Sequence, residues 1–236
     1  MKVAALSDKG RVRPNNEDSL LVRTEQGLFI VCDGMGGHNA GEVASRLAVQ
    51  YIGDYLLKSG IPVSAQILNE AIIKANELVW QQGQDNPEWH EMGTTATAAI
   101  IRDNQLLVAN VGDSSLYLIR DRAISKITRD HTLAQEMVKD GLIKSDEVKH
   151  SGYNHILTRA LGVHPDLEID NFEEILKSGD TILICSDGLS DMLSDDEILN
   201  TMLEHENSLD DTSIALLEKA MVGGGYDNIS LILLKV

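Results

Sequence analysis

Three aspartates stand at the ends of apolar runs. Leu28-Phe29-Ile30-Val31-Cys32 ends in Asp33-Gly34, and Thr181-Ile182-Leu183-Ile184-Cys185-Ser186 ends in Asp187-Gly188. Asp227 follows Gly223-Gly224-Gly225-Tyr226 and opens into a further apolar run. A carboxylate at the end of a buried strand loses hydration unless something compensates its charge. Three such groups point to one shared metal centre. Glycine lets the backbone approach an ion closely, so the Gly34 carbonyl can join the Asp33 carboxylate as a ligand. An all-oxygen set suits hard cations such as Mg²⁺ and Mn²⁺. No Cys/His cluster argues for zinc, and His38 and His131 stand alone. The segment Arg13-Pro14-Asn15-Asn16-Glu17-Asp18 reads as a polar turn built on asparagines. It also sets an arginine, the side chain that grips phosphate bidentately, beside two acids able to help hold a cation. Val111-Gly112-Asp113-Ser114-Ser115 reads by itself as a β-turn between two strands. Each of these segments is a weak signal alone, but the set is unlike chance.

The elements that must position these residues follow from periodicity and turn chemistry. Strands are expected at 2–7, at 18–23 and 28–33 as a hairpin about Thr24-Glu25-Gln26-Gly27, and in quick succession at 94–102, 105–111, 115–120 and 123–127. Asp103-Asn104 and Asp121-Arg122 are short turn signals that make antiparallel hairpins of their neighbours. Further strands are expected at 167–172, 181–186 and 229–235. Helices are expected from Gly41 to Leu57, from Ser64 to Gln82 with Ser64 as N-cap, within 131–150 with a break at Asp140-Gly141, near 195–204, and at 209–221. Strands cluster as hairpins and helices come in pairs, which is a layered α+β pattern without regular βαβ alternation. With four prolines and no linker-like stretch, one compact domain over 1–236 is expected, and the polar segment 141–155 reads as a flap.

The chain has 236 residues, 20 Lys+Arg against 37 Asp+Glu, and a formal charge of −17. Such a surface repels nucleic acid and anionic membranes, yet admits a phosphorylated substrate where metals or an arginine reverse the sign locally. An acidic face favours basic phosphosites. Cys32 and Cys185 lie in apolar runs, where a thiol behaves as a small hydrophobe and not as half of a disulfide. The N-terminal apolar stretch is too short for a signal peptide, and no run approaches the ~20 residues of a membrane span. The expectation is a cytoplasmic monomer.

Taken in order, the motifs resemble the metal-dependent Ser/Thr protein phosphatases of the type 2C (PPM) family in their compact bacterial form. They run from Arg13 to Ser19, through Asp33-Gly34-Met35-Gly36-Gly37-His38, Gly41-Glu42, Gly93-Thr94-Thr95, Val111-Gly112-Asp113-Ser114 and Asp130-His131. They continue with Thr158-Arg159-Ala160-Leu161-Gly162, Ser186-Asp187-Gly188-Leu189 and Gly225-Tyr226-Asp227-Asn228-Ile229-Ser230. The resemblance implies a four-layer α-β-β-α sandwich of two antiparallel sheets, with a binuclear Mg²⁺ or Mn²⁺ site at one edge. It implies that Asp33 bridges two ions, that Asp187 and Asp227 hold one, and that the Gly34 carbonyl and Glu17 serve the other. Asp18 joins the network, Asp113 helps bind a third, weaker ion, and Arg13 grips the substrate phosphate. Two departures stand out. Met35 occupies the place where eukaryotic members carry a proton-donating histidine, leaving His38 as the candidate acid, and Ser115 replaces a common arginine.

The activity expected is hydrolysis of phosphoserine and phosphothreonine in proteins by a hydroxide bridging two ions, opposing a bacterial Ser/Thr kinase and acting on that kinase's targets. The alternatives are a low-turnover phosphoprotein-binding module and a hydrolase of small phosphate esters. Intact oxygen ligands at every metal position favour an enzyme.

Overall fold

The computed structural model describes residues 1–36, 40–58 and 64–236. In chain order the elements are β1 (Lys2–Asp8), β2 (Ser19–Arg23), β3 (Leu28–Cys32), β4 (Gly34–Met35), α1 (Ala40–Lys58), α2 (Ala65–Asp85), β5 (Gly93–Thr94), β6 (Ala96–Arg102), β7 (Gln105–Val111), β8 (Ser115–Arg120) and β9 (Ala123–Lys126). Then come α3 (Leu133–Lys139), a 3₁₀ turn (Ser145–His150), β10 (Asp170–Ile175), β11 (Thr181–Cys185), α4 (Asp187–Ser190), α5 (Asp195–Glu204), α6 (Leu209–Gly223) and β12 (Ile229–Lys235).

Two five-stranded antiparallel sheets form, in the orders β1-β12-β11-β8-β9 and β10-β7-β6-β3-β2. The near-continuous apolar strands are explained by burial on both faces. In β3, Leu28, Ile30 and Cys32 turn outward to the core shared with α1 and α2. Phe29 and Val31 turn inward, where they meet Leu116, Ile182, Ile184 and Ile232 between the sheets. In β11 and β12, Leu183, Cys185, Leu231 and Leu233 face the second outer core, beneath α5 and α6. The result is the expected helix–sheet–sheet–helix sandwich. Cys32 and Cys185 are free thiols in the two separate outer cores, and burial pushes the Cys185 thiol up to about 12.

Local chemistry sets the boundaries. Ser64 caps α2 by accepting from the Ile67 N–H at 3.4 Å, and Ser194 with Glu197 forms a reciprocal capping box at α5. The β2–β3 connection closes on Gly27 at φ 64°. Asp103, Asp121 and Arg122 all have positive φ, as tight hairpin turns demand. Three expectations need correction. The strand placed at 167–172 lies at Asp170–Ile175, because Leu167 and Ile169 pack into the outer core instead. The long strand at 94–102 is interrupted at Thr95, its first part pairing with β4 as a separate ribbon. The segment Gly112–Ser114 is not a hairpin turn, since β7 and β8 belong to different sheets and the chain crosses the sandwich there.

Candidate metal centre

The inward alternation of β3 continues past Phe29 and Val31 to Asp33, and that of β11 past Ile182 and Ile184 to Ser186. Both strands therefore deliver polar groups to the same end of the gap between the sheets. The position of Asp33 is fixed by its backbone. Its N–H donates to Thr95 Oγ1 at 2.9 Å, and its carbonyl accepts from the Thr95 N–H and the Thr94 hydroxyl, each at 2.8 Å. Thr95 Oγ1 lies 2.7 Å from Ser114 Oγ, which ties the crossing at 112–114 to Asp33. Burial first, then the charges of Asp18, Asp187, Asp113 and Asp227, hold the Asp33 carboxyl well above the usual range.

The loop 9–18 is stapled onto this edge by Asn228. Its amide donates to the carbonyls of Lys9 and Asn15, each at 2.9 Å, and its Oδ1 accepts from the Glu17 N–H at 2.8 Å. Glycine allows the rest of the approach. A Cβ on Gly34 would stand 2.1 Å from the Gly41 carbonyl oxygen, and one on Gly41 would stand 2.5 Å from Glu17 Oε2. Glu17 is thus pressed against Gly34 and the start of α1. Burial raises its pKa against the opposing pull of Arg13.

Asp18 is buried, at 9% exposure. Its Oδ2 accepts from Ser186 Oγ at 2.8 Å, while its Oδ1 is buried with no hydrogen-bond partner. Burial pushes its carboxyl up to about 6 despite donation from Ser230 and Ser186. Asp187, the first residue of α4, likewise has a buried and unpartnered Oδ1. Burial, followed by Asp113, Asp191 and Asp227, raises its pKa well above the usual range. Asp113 faces the same acids from the crossing, and burial with Asp130 pushes it up to about 7. Asp113 and Asp187 also line a small cleft of about 100 Å³ with Asp130 and Asp191, into which Lys126 reaches to hold Asp130 at 2.7 Å.

Asp227 and Arg13 meet each other. The Arg13 guanidinium donates to Asp227 Oδ2 at 2.7 Å, while Asp227 Oδ1 accepts from the Asn228 N–H at 2.8 Å. The Arg13 side chain is 53% exposed, at the mouth of the site. His38 lies outside the described residues. His131 is structural, as its isolation in the sequence suggests: its Nδ1 accepts from the Gly112 N–H at 3.1 Å, its Nε2 lies 3.3 Å from Asp170, and burial lowers its pKa.

The structure thus brings together Glu17, Asp18, Asp33, Gly34, Asp113, Asp187 and Asp227, with Arg13 at the rim. Among the described residues no three acids, histidines or thiols close into a ready cage; the acids are neighbours without converging on a point. The donor set nevertheless fits hard cations. It is all oxygen, it carries excess negative charge, and two buried carboxylate oxygens have no other partner. Sequence reading did not find the supporting roles of Ser186, Ser230 and Asn228. Their adjacency to Asp187, Asp227 and Ile229 was the available signal.

Comparison with known proteins agrees with this arrangement. The protein phosphatase 2C family model matches residues 11–221. The serine/threonine phosphatase stp of Listeria monocytogenes is 35% identical over 97% of this chain and 93% of its own length. The protein phosphatase PhpP of Streptococcus pneumoniae is 33% identical over 100% of this chain and 98% of its own length. Among solved structures, the serine/threonine phosphatase Stp1 of Staphylococcus aureus superposes with a TM-score of 0.93 at 32% identity, over 100% of this chain and 94% of that one. The catalytic domain of the phosphatase PstP, in complex with two manganese ions, superposes at 0.87 with 36% identity, over 98% and 96% of the two chains. The chain belongs to the protein phosphatase 2C family.

Proposed function

We propose that this chain hydrolyses phosphoserine and phosphothreonine in proteins, with two Mg²⁺ or Mn²⁺ ions held by the acid cluster. The observation that carries the reading is the pair of buried, unpartnered oxygens on Asp18 and Asp187, set beside Asp33 in a site whose donors are all oxygen. Two manganese ions in the related PstP domain support the count. In this reading Asp33 would serve both ions, Asp187 and Asp227 would help hold one, and Glu17 with the Gly34 carbonyl would help hold the other. Asp18 backs the set, and Asp113 helps hold a third ion. The ions, when bound, supply Lewis acidity to phosphoryl oxygens and lower the pKa of water.

The chain's own residues orient and bind. Thr94 and Thr95 fix the direction of Asp33, and Ser186 fixes that of Asp18. Arg13 swings from Asp227 to the substrate phosphate, which offers it a bidentate acceptor. The leaving seryl or threonyl oxygen needs a proton, for which His38 is the candidate donor. Residues 131–156 act as a flap on the single catalytic domain 1–236. In support, Lys149 donates to the carbonyls of Ser190 and Leu193 at 2.8 and 3.3 Å, beside Asp187. The partners are phosphoproteins, among them a Ser/Thr kinase and its targets, met by a monomer in the cytoplasm. No helix among the described residues is long and apolar enough to cross a membrane.

The deciding experiment is phosphate release from a phosphothreonine peptide with Mn²⁺, with EDTA, and with Asp33→Asn. Release that needs the metal and collapses in Asp33→Asn is expected. Turnover that survives EDTA sinks the two-ion reading, and peptide binding without turnover points to a binding module.

A further inference from the structure

Beside the metal centre, between α3 and residues 157–168, lies a cleft of about 400 Å³. It begins at Met35, the residue after the Asp33-Gly34 pair, and Leu157, Ala160, Val163 and Leu167 complete its apolar lining. Glu136 and Asp166 also line it, and both are exposed. Neither carboxylate has a hydrogen-bond or ion-pair partner among the described residues. Arg159, the arginine of the cleft, is already committed, with NH1 2.9 Å from Asp170 and NH2 2.9 Å from Glu168. Thr158, His164 and Glu168 make the rest of its lining polar, so the cleft offers apolar contact beside two uncompensated carboxylates.

One wall is held rigidly. Asn76, fully buried in α2, donates to the carbonyls of His164 and Pro165 at 2.9 and 3.1 Å and accepts from the Gly162 N–H at 2.7 Å. Gly162 has φ +85°, and a Cβ there would stand 2.4 Å from Val79. Leu161 pairs in both directions with Thr94, whose hydroxyl holds the Asp33 carbonyl. That wall and the metal centre are thus parts of one hydrogen-bonded frame, so this side of the cleft, with Asp166, keeps a fixed distance from Asp33.

Apolar contacts set beside unpaired carboxylates match a lysine or arginine side chain, whose methylene stem prefers apolar contact and whose head carries the charge. We propose that this cleft receives a basic side chain of the phosphoprotein substrate, within a few residues of the phosphorylated one, and so selects phosphosites in basic surroundings. The proposal rests on the phosphatase reading above and adds the substrate class that the site prefers.

The test compares kcat/KM, with Mn²⁺, across phosphothreonine peptides that differ by Lys or Glu at each of the three positions on either side. The ratio between the best Lys peptide and its Glu counterpart is expected to be about tenfold. Glu136→Gln and Asp166→Asn should each reduce that ratio about two- to fivefold, the range of a partly exposed ion pair, and the double variant should bring it near one. Salt should compress the wild-type ratio. General damage to the centre slows both peptides alike and leaves the ratio standing, and the remote variant Asp210→Asn should keep it too. A flat wild-type ratio, or one that survives the double variant, overturns the cleft assignment while the phosphatase reading stands. Failure to hydrolyse any of the phosphopeptides overturns both.

Discussion

Strands β8 and β11 each have an acid near both ends, and the two ends behave oppositely. At one end Asp180, 2% exposed, is met by Arg120 with Nε on Oδ1 at 2.9 Å and NH2 on Oδ2 at 2.5 Å, and by the Lys177 N–H at 2.8 Å. The Arg120 guanidinium holds the Asp180 carboxyl below the usual range. At the other end Asp113 is buried and Asp187 half-buried, neither has such a cation against it, and burial drives both carboxyls upward. One end is compensated within the fold, and the other is left to be compensated by a ligand. Burial of an acid therefore marks a functional site only when its partner is missing.

The largest expected effect sharpens this contrast directly. Asp187→Asn or Asp33→Asn should lower phosphopeptide turnover by about three orders of magnitude, roughly 4 kcal/mol, by weakening metal binding. In metal-free buffer the same variants should unfold at higher urea than wild type, because a costly buried charge is gone. A loss of metal-free stability would show that these acids are compensated after all. At the opposite end Arg120→Met should lower the urea midpoint, because Asp180 is left unpaired, with kcat of the folded fraction unchanged.

Smaller effects probe the boundary between the two behaviours. Arg13→Ala should raise KM for phosphopeptide about tenfold, the worth of one charge-assisted contact, and leave Mn²⁺ affinity largely intact. A collapse of Mn²⁺ affinity measured by calorimetry would assign Arg13 to the metal set instead. The pH profile of metal-free protein has a definite sign. Asp18 and Asp113 have folded pKa values raised to about 6 and about 7 from 3.8. Their contribution is fully present below about pH 4 and is lost as pH rises through 6 to 7, on the order of 1–3 kcal/mol in all. Excess Mn²⁺ should remove most of this slope by binding the folded state, and a metal-free protein equally stable at pH 5 and 7.5 would contradict it. The smallest effect expected is for Ser186→Ala, about 1 kcal/mol of stability and a modest loss of activity, from the hydroxyl that orients Asp18.

Much of this contrast was legible in the sequence, and the limits are physical. Asp33, Asp187 and Asp227 announced themselves because an acid at the end of an apolar strand is expensive. The spans 195–204 and 229–235 match the structure to the residue, because Ser194 and Glu197 form a local cap and β12 is apolar at all but Ser230 and Lys235 after a glycine-rich turn. Strand β10 slid by three residues because Leu167 and Ile169 look like strand residues and serve as core plugs. Asp180 carries no local signal of its burial, since its partner Arg120 stands sixty residues away. The same distance problem hid Asn228, which reaches back 219 residues to Lys9. Single positions reveal their cost locally, but their compensation is a matter of tertiary contact. Gly112–Ser114 read as a turn because a crossing between sheets and a hairpin use the same short polar segment.

The pairing of β1 with β12 carries a consequence for how the protein comes into being. These strands match from Lys2↔Lys235 to Asp8↔Ile229, with Asp227 and Asn228 just before the register begins. Strand β1 is synthesised long before β12 and must wait for it before the two can pair. Until then the loop 9–18 lacks its staple, and the acids have no common edge on which to gather. Synthesis itself thus acts as a timer, keeping a nascent chain silent until almost all of β12 has emerged.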